Sequence, residues 1–144
     1  MSKATLQIFK PDLGGKKVKL PLFTVPVSAG FPSPAEDYIE QHLDLNEYLI
    51  DSPASTFCIR VSGNSMTGAG INNGDILIVD RSKQPKNNGI IIGVINGDFT
   101  VKRVRKTKEG LFLVPENPNY KAIKIEDCMD FSIWGVVTYI IHKA

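Results

Sequence analysis

The dipeptide Asn96-Gly97 lies between two strand-like runs, Ile90 to Ile95 and Asp98 to Val104. Asn and Gly both tolerate positive φ angles, which makes this pair the strongest short signal for a two-residue turn between antiparallel strands. The sequence therefore predicts a β-hairpin over residues 90–104, and antiparallel pairing in this part of the chain.

Other segments also carry strand patterns. Phe57, Ile59 and Val61 alternate with Cys58, Arg60 and Ser62, as expected for a one-sided strand. Further strands are predicted within residues 75–80, 111–114 and 131–141. From Phe57 onward the chain is predicted to be mostly strand.

The first 50 residues have a different character. Residues 1–35 contain five prolines and three glycines, which exclude a long helix or a central strand and predict an extended, mobile arm. From Glu36 to Ile50 the apolar residues are roughly helically spaced, and Ser52-Pro53 follows as a stop signal. One or two short helical turns are predicted there.

Composition excludes several classes of protein. A chain of 144 residues fits one domain, and a net charge of +2 is too weak to predict direct binding to DNA. Cys58 and Cys128 are interpreted as buried or half-buried free thiols, and without a charged-then-apolar leader they favour the cytoplasm. The apolar runs are shorter than the ~20 residues that span a bilayer, so no membrane anchor is expected. Neither Cys-x-x-Cys nor clustered His occurs, and no metal or cofactor is predicted.

The segment Ser62-Gly63-Asn64-Ser65-Met66 offers a candidate nucleophile. It leaves a predicted strand and enters a glycine-rich stretch, where the backbone can turn sharply and present Ser65. The backbone N–H groups of Asn64 and Ser65 are candidate donors to an oxyanion. Glycine and serine also occur in turns for conformational reasons alone, so the motif by itself stays open to that reading.

A serine nucleophile needs a base, and Lys102 is the candidate. His42 and His142 have no obvious acidic partner and are interpreted as surface residues. Lys102 shares a strand face with Thr100 and Val104. At a free pKa of ~10.4 only about one lysine in a thousand is neutral at pH 7.4, so burial must lower the pKa by about 3. The alternative is a solvated lysine of the basic run 102–106.

A candidate substrate lies in the arm. The segment Val25 to Pro32 has small residues at Ala29-Gly30 and prolines that favour extended backbone. An extended peptide can dock beside a sheet edge, with Val27 and Ala29 in the cleft and Ser28 outside.

Ala29-Gly30, the turn Ser62 to Met66 and the run Phe99 to Lys102 occur together in the order and spacing of one family. The chain resembles the LexA/UmuD-type self-cleaving serine/lysine proteases, in which the serine of Ser-Gly-x-Ser-Met and a later lysine cut an upstream Ala-Gly or Cys-Gly bond. The resemblance makes Ser65 the nucleophile and Lys102 the general base. Asn64 departs from the Asp frequent at its position, and Ala29 from the Cys more familiar in UmuD.

The resemblance implies a mainly β fold of coiled antiparallel sheets of the LexA/signal peptidase type, with one or two short helices and an extended N-terminal arm. Residues 1–29 would be a removable arm and residues 30–144 a β-rich protease and polymerase-accessory domain. It further implies a homodimer of the DNA-damage (SOS) response that is cut on a RecA filament on single-stranded DNA. The processed form would join a Y-family, UmuC-like catalytic subunit in error-prone translesion synthesis.

Three alternatives stay open at this point. A LexA-like or phage repressor needs a helix-turn-helix domain before the cleavage site, whereas residues 1–29 contain Pro11, Gly14 and Gly15. A signal peptidase also uses Ser and Lys but needs a membrane anchor. In an interaction module without enzymatic activity, Ser65 and Lys102 would be structural. Trp134 is interpreted as an anchor of the core or of a dimer interface.

Overall fold

A computed structural model describes residues 5–23 and 39–144 of the chain, which form two compact units. One unit comprises the described residues of 1–11 together with Ser52–Ala144, and the other is Asp12–Asp51. In chain order the elements are β1 (Thr5–Phe9), β2 (Lys19–Phe23), β3 (Ile39–Asp44), α1 (Leu45–Leu49), β4 (Thr56–Ser62), β5 (Ile76–Asp80), β6 (Ile90–Ile95), β7 (Asp98–Thr107), β8 (Gly110–Val114), β9 (Ile123–Lys124) and β10 (Phe131–Ile141). The prediction of a mainly β, antiparallel fold is confirmed.

The larger unit is built on one eight-stranded antiparallel sheet in the order β1-β4-β5-β10-β6-β7-β8-β9. Strand β10 pairs with β5 on one side and β6 on the other, and its register shifts at Ile133/Gly135 and at Val137/Tyr139. Such irregularities increase local twist and let a long strand bend. A Cβ atom on Gly135 would lie 2.6 Å from Val79 Cγ1, so glycine permits close packing at this bend.

Two clusters of buried side chains form the core of this unit. The first contains Ile59, Val61, Met66, Ile71, Leu77, Val79, Ile92 and Val101. The second contains Ile91, Val104 and Leu113. Strand β7 contributes Val101 to the first cluster and Val104 to the second. Residue 102 therefore lies on a length of backbone that is anchored on both sides.

The predicted hairpin is confirmed as the β6–β7 connection. Asn96 and Gly97 both have positive φ, 49° and 87°, as a tight turn between twisted strands requires. The register pairs Ile91 with Lys102 and Ile92 with Val101. The strands predicted within residues 57–62, 75–80, 111–114 and 131–141 are likewise present, as β4, β5, β8 and β10.

The prediction of one or two short helical turns within residues 36–50 is confirmed by α1, but the helical spacing read from the apolar residues does not hold for the strand that precedes it. Ile39–Asp44 forms β3, which pairs with β2, and the helix is confined to Leu45–Leu49. Asp44 marks the boundary, because its carboxylate accepts hydrogen bonds from the backbone N–H groups of Asn46 and Glu47 as an N-cap does. The spacing of apolar residues within a segment does not reveal whether that segment pairs with a strand elsewhere in the chain, as β3 does with β2. Residues 36–38 lie outside the described residues.

The predicted arm is extended where the structure describes it, in β1 and β2. Strand β1 is not a free segment, however, because it pairs with β4 from Thr5 opposite Ser62 to Phe9 opposite Cys58. These five residues contain no proline, so the backbone donors of a sheet edge are all present. No helix in the described residues is long and apolar enough to cross a membrane.

Candidate active site

Ser65 lies in the turn that follows β4, and its side chain is only 7% exposed. Gly63 opens the turn with a φ of 116°, a conformation that glycine adopts without a steric penalty. Met66, the next residue after Ser65, is buried in the first core cluster. The turn is thus fixed by an apolar anchor directly beside the candidate nucleophile.

A second segment, residues 116–117 after β8, holds the same turn through the backbone of Glu116 and the side-chain amide of Asn117. The Glu116 N–H donates to the Ser65 carbonyl at 2.9 Å, and the Gly68 N–H donates to the Glu116 carbonyl at 2.6 Å. The Asn117 amide donates to the Asn64 carbonyl at 2.7 Å. Each bond constrains the backbone of the turn, so the position of Ser65 depends on residues some fifty positions further along the chain.

The structure brings Lys102 of β7 to this turn. Its Nζ lies 3.0 Å from Ser65 Oγ, and the Lys102 side chain is buried, with 8% of its surface exposed. The same Nζ lies 2.8 Å from Thr100 Oγ1 and 3.0 Å from the Val101 carbonyl oxygen. Thr100 and Lys102 share one face of the strand, as the alternation in the sequence predicts.

This set of three partners suits a lysine that acts as a base. A protonated lysine has three N–H donors, whereas a neutral one has two donors and one lone pair. The Val101 carbonyl can only accept, and the Thr100 hydroxyl is free to accept. When Lys102 is neutral, these two oxygens take its two N–H groups. The lone pair is then directed to the Ser65 hydroxyl, from which it can accept a proton.

Burial changes the acidity of Lys102. Removal from water disfavours the charged form and lowers the pKa of Lys102 from 10.5 to about 8. At that pKa, Lys102 is neutral in about one fifth of the molecules at pH 7.4, whereas an exposed lysine is neutral in about one in a thousand. Burial thus supplies most of the decrease in pKa that a lysine needs to act as a base at neutral pH.

The neighbouring Arg103 links the two halves of the site. Its Nε lies 2.6 Å from Glu116 Oε1, so β7 is tied to the segment that holds the Ser65 turn. Lys102 and Ser65 are therefore connected twice, once directly and once through Arg103 and Glu116. Sequence reasoning placed Arg103 in a solvated basic run and did not consider Thr100 as a partner of Lys102, nor Glu116 and Asn117. No local motif marks these residues, because the contacts join distant strands.

The predicted oxyanion donors lie in the described part of the chain, whereas the predicted cleavage site does not. Asn64 and Ser65 lie in the turn with their carbonyls bonded to residues 116–117, and the use of their N–H groups for an oxyanion stays a prediction. Ala29 and Gly30 lie outside the described residues, as do Val27 and Ser28.

The interpretation of His142 as a residue without an acidic partner is wrong. His142 Nδ1 lies 2.6 Å from Oδ1 of Asp75, a carboxylate only 3% exposed. The sequence separates these residues by 67 positions, and the pairing of β5 with β10 brings them together. The contact joins the residue before β5 to the residue after β10. Within the described residues, Ser65 Oγ contacts the Lys102 amine rather than an imidazole.

The sequence also led to predictions for the two cysteines and for Trp134, which concern their burial. Cys58 is a buried free thiol, as expected, and burial raises its pKa. The interpretation of Cys128 as a buried or half-buried thiol is wrong, because this residue lies exposed in a turn before β10. Trp134 packs against the first cluster and makes edge contacts with Phe57 and Phe99. Its predicted role in the core is confirmed. Within residues 5–23 and 39–144, no group of three or more His, Cys, Asp or Glu side chains could hold a metal ion.

Comparison with known proteins places the chain in a family. The model of the Peptidase S24-like family matches residues 21–138. Protein ImpA of Escherichia coli is 48% identical over 124 residues, which cover 85% of this chain and 83% of that protein. Protein SamA of Salmonella typhimurium is 46% identical over 138 residues, or 96% of each chain. Protein MucA of Escherichia coli is 38% identical over 135 residues, covering 93% and 92%. The chain belongs to the Peptidase S24-like family and, within it, to the UmuD-type proteins.

Proposed function

We propose that this chain is a self-cleaving serine endopeptidase in which Ser65 is the nucleophile, Lys102 is the general base and the bond between Ala29 and Gly30 is the substrate. The observation that carries the proposal is the 3.0 Å contact between a buried lysine and a buried serine. Membership of a peptidase family supports it. A structural role alone would not require a lysine whose burial lowers its pKa to about 8.

The proposed chemistry uses each group in turn. Neutral Lys102 accepts the proton of Ser65 Oγ as that oxygen attacks the carbonyl carbon of Ala29. The N–H groups of Asn64 and Ser65 donate to the oxyanion of the tetrahedral intermediate. Protonated Lys102 then gives its proton to the nitrogen of Gly30, which leaves as the new amino terminus. Water, with Lys102 again as base, hydrolyses the Ser65 ester and releases the carboxylate of Ala29.

We further propose that the cut is a step in SOS mutagenesis in the cytoplasm. UmuD-type relatives over nearly the whole chain support this assignment. A RecA filament on single-stranded DNA would promote the cut by favouring the arrangement in which the 29–30 bond lies at Ser65. The processed chain, residues 30–144, would act as a homodimeric accessory subunit of a Y-family, UmuC-like translesion polymerase. No cofactor takes part in the proposed reaction.

The test is intact-mass analysis of purified protein with and without RecA, ATP and single-stranded DNA. The unmodified chain should yield one fragment ending at Ala29 and one beginning at Gly30. Ser65→Ala and Lys102→Met should each abolish both fragments and retain the β-sheet circular dichroism. Lys106→Met is the matched control, because it removes an exposed lysine of the same strand. Cleavage at the normal rate by either site variant would refute the dyad.

The position of the cut has its own test. Ala29→Trp and Gly30→Glu should block processing, because a large or charged side chain does not fit a cleft suited to small residues. Lys16→Glu, also within the proposed arm, should be cut normally. Fragments that end elsewhere in the unmodified chain would move the substrate bond away from Ala29-Gly30.

A further inference from the structure

Strand β1 covers one edge of the large sheet. It pairs antiparallel with β4, and no strand follows it on its outer side in the eight-stranded order. If β1 leaves, β4 becomes the edge and presents a row of unpaired N–H and C=O groups. Such an edge is a template for another extended segment.

The edge has two features that recognise side chains as well as backbone. Leu6 of β1 packs against the first core cluster, opposite Val61. Four residues later, Lys10 Nζ lies 3.0 Å from the carbonyl oxygen of Ala54 and 3.4 Å from that of Pro53, and 4.1 Å from the centre of the Phe57 ring. The edge thus offers one apolar seat and one seat for a cation, formed by carbonyl oxygens and an aromatic face.

We infer that the β4 edge is a strand-docking site that β1 occupies in the intact chain. Once β1 has left, the site takes an extended antiparallel segment of a partner protein. That segment carries an apolar side chain at the position of Leu6 and a Lys or Arg four residues further on. The ladder provides affinity for any extended backbone, and the two seats select the sequence.

The event that frees the edge rests on the proposed function. A cut at Ala29-Gly30 separates β1 from β4 covalently. Before the cut, the connecting chain keeps β1 at an effective concentration on the order of millimolar. Strand β2 would be the only other described strand of the released piece. It pairs with β3, which stays in the processed chain, and the cut removes the covalent link between these two strands. Isolated strand pairs of this kind are marginally stable in water, so the released piece depends on β1 for its attachment.

A partner protein, rather than a second copy of this chain, is the occupant that fits these observations. A processed copy begins at Gly30 and has no β1 to donate. An uncut copy has its own β1 paired to its own β4. The cation seat binds the Lys10 ammonium through the carbonyl oxygens of Pro53 and Ala54 and the face of the Phe57 ring, all of which favour a basic side chain in the partner segment.

The test measures binding of a fluorescent peptide with the sequence of residues 3–12 by anisotropy. The receptor is the full-length chain, either unmodified or with Leu6→Asp and Gln7→Pro, which remove the apolar contact and a backbone N–H of β1 that faces β4. The double variant, with its circular dichroism intact, should bind the peptide about tenfold or more tightly than the unmodified chain, because its own β1 no longer competes. Equal affinities, or no binding to the folded variant, would overturn the inference.

Selectivity is tested at the cation seat. With the double variant as receptor, Lys10→Met in the peptide should weaken binding about threefold, and Phe57→Leu in the receptor should remove most of that difference. Equal binding of the Lys10→Met peptide and the unmodified peptide by the receptor that retains Phe57 would overturn the cation seat. A dimer of the double variant that the peptide dissociates would assign the edge to a second copy and overturn the assignment to a partner.

A measurement on the unmodified chain covers the case in which the double variant does not fold. Excess peptide should accelerate hydrogen exchange of the Thr5–Phe9 amides while those of Thr56–Ser62 stay protected, because one strand replaces another. Unchanged exchange in β1 at saturating peptide would refute the docking site. None of these measurements requires cleavage. If they succeed and the chain is never cut, the proposed function fails while the docking site stands.

Discussion

At the scale of single residues, burial gives Lys102 a property that an exposed lysine lacks. Its ammonium form is destabilised by loss of water, and the pKa of Lys102 falls from 10.5 to about 8. Thr100 Oγ1 and the Val101 carbonyl orient the amine, and Ser65 Oγ is the remaining partner. The residue is therefore both more often neutral and directed at one hydroxyl.

This pKa predicts the pH dependence of spontaneous cleavage. Because only neutral Lys102 accepts a proton, the rate should rise about tenfold per pH unit below pH 7 and level off above about pH 9. With an exposed Lys102 in an open cleft, the cleavage rate would continue to rise up to about pH 10. The measurement is a series of first-order rates from pH 6 to 10.5, with folding checked by circular dichroism. A bell-shaped profile centred near pH 7 would point to histidine instead.

Under the proposed function, a RecA filament should change this profile in a defined way. Closure of the substrate segment over the site would bury Lys102 further and lower its pKa again. The rate with filament should therefore approach its plateau at a lower pH than the spontaneous rate. Identical profiles that differ only in amplitude would mean that the filament positions the substrate without altering Lys102.

At the scale of elements, the turn that carries Ser65 is a junction between β4, β7 and the segment after β8. The turn is bonded to the backbone of Glu116 and to the side-chain amide of Asn117, and Arg103 of β7 contacts the Glu116 carboxylate. Gly68 makes the closest approach, because a Cβ atom at this position would lie 2.6 Å from the carbonyl oxygen of Glu116. Glycine is required here by the neighbouring backbone.

Gly68→Ala should consequently displace the turn. We expect a loss of about 1–3 kcal/mol in the free energy of unfolding, as for other overpacked sites, and a decrease in the cleavage rate of at least about tenfold from misplacement of Ser65. Urea unfolding and the mass-spectrometric cleavage assay measure the two effects.

Gly135→Ala is the matched control for that prediction. Its added Cβ would also meet an atom at 2.6 Å, but that atom is Val79 Cγ1 at the β5–β10 contact. We expect a comparable loss of stability with cleavage per folded molecule unchanged. If Gly68→Ala lost stability but cleaved at the normal rate, the bonds to residues 116–117 would not position the nucleophile.

At the scale of the whole molecule, the same burial that activates Lys102 opposes folding. Below about pH 8 the folded chain must keep an ammonium group out of water, whereas the unfolded chain exposes it. Between about pH 8 and 10.5 the unfolded state binds more protons at this residue than the folded state does, so the stability contributed by Lys102 rises with pH. Above that window both states are neutral and the penalty is gone.

This linkage is measurable by comparing two variants that cannot cleave, Ser65→Ala and Ser65→Ala with Lys102→Met. The difference between 10.5 and about 8 corresponds to about 3 kcal/mol. From pH 7.5 to 10.5, the free energy of urea unfolding of Ser65→Ala should rise by up to that amount relative to the double variant. Other groups titrate in both proteins and cancel. A difference that is constant across the range would mean that Lys102 keeps the pKa of an exposed lysine.

The sequence by itself determined the features that depend on local chemistry. Positive φ angles at Asn96 and Gly97 follow from what these residue types tolerate, and period-two alternation located β4 and β7. The motif around Ser65 and the apolar neighbours of Lys102 indicated the candidate residues, and the resemblance joined them to Ala29-Gly30. In these cases, a few adjacent side chains carry the whole signal.

The tertiary structure decided what depends on residues distant in the chain. Long-range pairing turned Ile39–Asp44 into a strand, placed β1 on the edge of β4 and joined His142 to Asp75. The sequence could state that Lys102 needs a lowered pKa, but the shift arises from burial, which exists only once the strands of the sheet have packed together. Desolvation and strand pairing are properties of the packed assembly, so they become defined only when the distant strands are brought together.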